Sequence, residues 1–124
     1  MSELHPSPHG SIAAAISNAT VKLLNEYTGR GPTKAKTTIS RDLIAVVLQD
    51  TMTKAERTLA SNGDGQFVID MRHRFQRAMQ EDLVAAVERL SERKVIAFMS
   101  DNHINPDMAV EIFILEPQAE TADA

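Results

Sequence analysis

Gly29-Arg30-Gly31-Pro32-Thr33-Lys34 gathers two glycines and two cations, and Lys36 and Arg41 follow close behind. Backbone N–H groups freed by glycine, together with ammonium and guanidinium heads, suit a small oxyanion or a nucleotide phosphate. The stretch is no Walker A loop, because Gly-Lys-Ser/Thr is absent and Pro32 removes a donor. It is no dinucleotide fingerprint either, since it follows a helical pattern and precedes a strand-like one. The plainer alternative is a helix end: Gly29 as the left-handed cap, Arg30 favoured by the helix dipole, Pro32 blocking continuation. Arg30, Gly31, Lys34, Lys36 and Arg41 form the candidate anion site.

A second cluster is Asp101-Asn102-His103-Ile104-Asn105-Pro106-Asp107. On an extended strand Asp101 and His103 point to one side, where a carboxylate can orient an imidazole for acid–base work. The alternative is a hairpin loop whose Asn and Asp side chains bond their own backbone. Asp101, His103 and Asp107 are the loop residues of candidate function, but no nucleophile stands at a readable spacing and no catalytic residue is assigned. His73 sits among Arg72, Arg74 and Arg77, which with their acidic neighbours read as a solvated helix face. His5, His9, His73 and His103 are dispersed without a ligand-pair spacing, so no metal site is expected.

A length of 124 residues suits one domain, and 43% apolar content supports one modest core built on aliphatic side chains and methionine. A net charge of −4 argues against a general nucleic-acid binder. The lack of cysteine removes disulfides, thiolate metal sites and cysteine nucleophiles. No cofactor motif is present. The opening residues carry no basic, apolar leader, and no window approaches the roughly 18 apolar residues of a membrane span. A cytoplasmic chain that does not insert into membranes is expected.

Residues 1–10 read as a flexible arm, 11–116 as one domain and 117–124 as a disordered acidic tail. Ser11 is the expected N-cap of a first helix whose apolar stripe is Ile12, Ile16, Ala19, Leu23 and Tyr27. Thr33–Ser40 alternates like a strand with one wet face, Arg41-Asp42 makes a tight turn, and Leu43–Leu48 is a more central strand. Thr53 and Glu56 have the spacing of a capping box for a short helix ending near Asn62-Gly63. A long helix from about Gln66 to Glu92 carries the stripe Val68, Met71, Phe75, Met79, Leu83, Val87 and Leu90. Its wet face offers the four-apart pairs Asp70–Arg74 and Arg77–Glu81. A closing hairpin runs Val95–Met99 and Met108–Leu115, with Val110, Ile112 and Ile114 on one side and Glu111 on the other.

The order α-β-β-α-α-β-β predicts an α+β two-layer sandwich, a four-stranded antiparallel sheet with helices on one face. The strand order is left open. The free face, lined by Leu43, Ala45, Val47, Phe113 and Leu115, predicts a homodimer.

The segments NEYTGRGPTKAKTTISRDLIAVVL, TMTKAERTL and RKVIAFMSDNHINPDMAVEIFILEP resemble the MpsC-like family over residues 11–117. The resemblance rests on a helix, a YxGRGP-like corner and a strand in that order. It rests also on a T-x-x-E-x-x-L segment and a His-containing closing loop. It implies an accessory or regulatory protein of a membrane-potential-generating or inorganic-carbon transport system. The partner it implies is a membrane transporter subunit, and it supplies no catalytic residues. The expectation is a non-enzymatic binding module, with a small-anion or nucleotide sensor as the alternative.

Overall fold

In the computed structural model, which describes residues 8–118, the first helix opens at Pro8 and not at Ser11. Proline suits a first turn, where its missing N–H would have had no helical partner anyway. Residues 8–10 of the expected arm are therefore helical; residues 1–7 and the tail residues 119–124 lie outside the described part.

Helix α1 (Pro8–Thr28) buries Ile16 of the expected stripe, with Ile12 and Leu23 packed against the core; Thr20 and Leu24 join it inside, and Tyr27 does not. Thr20 can sit inside because its hydroxyl donates to the Ile16 carbonyl one turn back, at 2.8 Å. Tyr27 stays at the surface and its hydroxyl donates to Asp82 at 2.7 Å, tying α1 to the long helix. Gly29 closes α1 at φ 79°, its N–H donating to the Asn25 carbonyl. No atom lies within 4 Å of where a Cβ would stand, so only backbone strain opposes a side chain there. Gly29→Ala is expected to cost about 1 kcal/mol in urea denaturation, the usual strain of a left-handed non-glycine residue.

Strands β1 (Lys34–Ser40) and β2 (Leu43–Gln49) form the expected hairpin, and Ser40 pairs with Leu43 across the Arg41-Asp42 turn. Helix α2 (Lys54–Ser61) begins with the capping box, Thr53 Oγ1 accepting from the Glu56 N–H and Glu56 from the Thr53 N–H. Helix α3 (Gly65–Ser91) is followed by β3 (Val95–His103) and β4 (Met108–Leu115). Of the expected pairs on α3, Asp70 is instead bonded by the Gln66 amide at 2.9 Å.

The two hairpins join into one antiparallel sheet of order β1-β2-β4-β3, β2 lying beside β4. Helices α1 and α3 cover one face, and α2 packs on α3. Beneath that roof Ile44, Val46, Leu48, Phe113 and Leu115 meet Ile16, Leu24, Met79, Leu83 and Val87 in one core. Burying each large side chain of this kind stabilises by roughly 1.5–3 kcal/mol. Phe98 tilts against Phe113 at 5.1 Å between ring centres.

The alternation along β4 is as expected, but the side it faces is reversed. Phe113 and Leu115 lie under the helices, together with Glu111, while Val110, Ile112 and Ile114 turn to the uncovered face. The charge of Glu111 suggested water; the structure buries it because α3 offers polar groups above it.

Candidate functional site

The buried residues of α3 change character along its length. Its C-terminal half buries Met79, Leu83, Ala86 and Val87, whereas its N-terminal half buries Arg72 and Gln76 alongside Val68. Arg72, expected on a wet face, is 5% exposed. Its guanidinium fork explains this: Nε donates to Asn102 Oδ1 at 2.9 Å, and Nη1 donates to Glu56 at 3.2 Å. The same Glu56 carboxylate caps α2, so one side chain serves helix start and ion pair together. A planar fork with several fixed donors can divide itself this way, where a lysine could not.

Gln76 extends the network. Its amide oxygen accepts from Asn102 Nδ2 at 2.9 Å, and its amide nitrogen donates to Asn102 Oδ1 at 3.2 Å and to Glu111 Oε2 at 3.3 Å. Glu111 is 0% exposed and its Oε1 has no partner. Burial is the leading cause that pushes its carboxyl up to about 7, against the smaller opposing effects of Gln76 and Arg72. Four elements thus meet in one polar knot: α2, α3, β3 and β4. A buried network of this kind fixes how elements dock, and each of its groups is costly to orphan.

Asp107 performs a parallel task at the loop. Its carboxylate accepts from Thr51 Oγ1 and from the Met52 N–H, both at 2.9 Å, fastening the closing hairpin to the segment after β2. Asp101 and His103 do share a side of β3 but take different partners. Asp101 Oδ1 faces His73 Nε2 at 3.2 Å, while His103 Nδ1 lies 2.8 Å from the Pro106 carbonyl. The Asn102 N–H first, and His73 second, hold the Asp101 carboxyl below its ordinary value. The carboxylate–imidazole pair is therefore Asp101–His73, on the surface and between elements, where sequence spacing had suggested Asp101–His103.

The basic residues after α1 are spread out. Arg30 Nε donates to the Asp50 carbonyl at 3.2 Å, and a Cβ on Gly31 would stand 3.4 Å from Val21, so this glycine allows close approach to α1. Lys34 and Lys36 project from the uncovered face of β1. Arg41 lies at the opposite end of that strand, about 20 Å away at 3.3 Å per residue, where its carbonyl accepts from Arg93.

The uncovered face is ordered in rows that cross all four strands. Lys36, Val47, Val110 and Asp101 pair in sequence to make one row; Thr38, Ala45, Ile112 and Met99 make the next. The centre is aliphatic, yet Val47 is 37% and Met99 52% exposed. A shallow depression of about 290 Å³ lies near Val47, Val110 and His103.

Architecture and site together define a single-sided α+β sandwich, with a polar knot under the roof and one sheet face that no described element covers. Residues 8–117 match the family model described as "Na+-translocating membrane potential-generating system (MpsC)". The chain belongs to this family. It is also 30% identical over 107 residues to the "Uncharacterized protein YbcI" of Bacillus subtilis (strain 168), covering 86% of each chain. No solved structure matches it. Among the described residues, no helix is long and apolar enough to cross a membrane.

Proposed function

We propose that this chain is a non-enzymatic, cytoplasmic accessory component of a Na+-translocating, membrane-potential-generating system. It acts as a homodimer that contacts the membrane-embedded components without entering the bilayer. The observation that carries this reading is the uncovered sheet face, whose centre is Val47, Val110, Ala45 and Ile112. Val47 is exposed and the other three are partly exposed, and a contiguous apolar patch of this kind marks an interaction site. The polar groups favour the same reading. Arg72, Glu56, Gln76 and Asn102 spend their hydrogen bonds on one another, as a structural lock does. The family description supplies the system in which the contact operates.

The reading is tested in cells that carry the complete system, by removing this chain and following the Na+-dependent membrane potential with a voltage-sensitive dye. The potential should fall, return with the wild-type chain, and fail to return with Val47→Asp. A potential unchanged by removing the chain overturns the proposal.

A further inference from the structure

The rows of the uncovered face carry a charge pattern as well as apolar residues. Lys34 and Lys36 stand at the β1 side, Asp101 at the β3 side, and the positions between them in the Lys36 row are Val47 and Val110. Positive and negative ends of one row lie on opposite margins of the sheet, because β1 and β3 are its two outer strands. Such a face is complementary to its own copy in one orientation and self-repelling in another.

We propose that two copies pack these faces together about a two-fold axis running parallel to the strands, between β2 and β4. That rotation exchanges the two margins and keeps the rows level. Each Lys36 then lies opposite Asp101 of the second copy, and each Val47 opposite its Val110. An axis at right angles to the strands would instead set β1 over β1, lysine against lysine, and that arrangement is penalised. Stacked sheets lie about 10 Å apart with strands within about 30° of parallel. The Lys36 row sits beside the middle of the strands, where such a rotation displaces it least. Lysine's four-carbon stem can bridge the gap at the margin while the valines close the centre. The Asp101 side chain is largely exposed: His73 and the Asn102 N–H engage its Oδ1, and Oδ2 is the oxygen that meets Lys36 of the second copy.

This arrangement rests on the proposed homodimer and adds its axis and its pairs. The test uses the full chain at pH 8 in low salt, with sedimentation equilibrium giving the dimer dissociation constant and circular dichroism confirming the fold. Wild type should be dimeric. Lys36→Asp and Asp101→Lys should each raise the dissociation constant about tenfold or more, since each exchanges two attractions for two repulsions. The double exchange Lys36→Asp/Asp101→Lys should return it to near the wild-type value. Raising NaCl from 50 to 500 mM should weaken the wild-type dimer, a readout that needs no mutant. A dimer broken by Val47→Asp but indifferent to salt and charge exchange overturns the axis and leaves the face standing. A monomeric wild type at 100 µM overturns both.

Discussion

Replacing Arg72 by methionine is expected to cost about 3–5 kcal/mol of folding stability, the penalty for breaking a buried ion pair from one side. Methionine keeps much of the aliphatic stem but leaves the Glu56 carboxylate, 4% exposed, without its cation. It also removes the Arg72 donor to Asn102 Oδ1, which leaves β3 held to α3 in this network by Gln76 alone. Arg72→Lys should be milder, losing about 1–3 kcal/mol, since the charge remains but the fork that reaches both partners does not. Adding Glu56→Gln to Arg72→Met should recover part of the loss, because the uncompensated charge is then gone. Urea unfolding of the three variants measures this; a loss below 1 kcal/mol for Arg72→Met would contradict the role given to the network.

Glu111→Gln should abolish a pH dependence. The folded Glu111 carboxyl is pushed from an ordinary 4.5 to about 7 by burial. Because the folded value lies above the unfolded one, its contribution is fully present below pH 4.5 and is lost as pH rises through about 7. The displacement corresponds to about 3 kcal/mol between those limits. Glutamine cannot ionise and still offers an oxygen to the Gln76 amide. At pH 5 the variant should match wild type within about 1 kcal/mol, and at pH 8 it should exceed it by about 2–3 kcal/mol. The difference between the two unfolding curves isolates position 111, the one residue at which the two proteins differ. Equal slopes from pH 5 to 8 would show that Glu111 keeps its charge when folded.

Much of this architecture could be read from the chain. The Arg41-Asp42 turn, the Thr53–Glu56 box and both hairpins are local signals, and local chemistry placed them. What escaped were decisions made by distant partners. Period-two alternation in β4 says which residues share a side, never which side meets the helices; Glu111 seemed to answer that and answered wrongly. Its hydrogen-bond donor, Gln76, lies 35 positions away, and Arg72 finds Glu56 16 positions back and Asn102 30 ahead. The one available signal was the paired interruption of the α3 stripe by Arg72 and Gln76, four apart and in line with Val68 and Met79. Polar residues repeating at core spacing announce a buried network, and a carboxylate elsewhere in the chain must then join it. The candidate anion set had no such constraint, and strand β1 simply separates Arg41 from Lys34.

The outer strands bear on how large an assembly this molecule can build. Both margins of the sheet end in backbone that could accept another strand, the usual seed of fibrils. Strand β1 presents lysines there, and β3 has a register shift between Val95 and Ala97. Charge and bulge at the two outer strands of this four-stranded sheet discourage sideways zipping. In the proposed dimer the broad face is used up once it is covered, and such an association ends in a finite complex instead of an open-ended polymer.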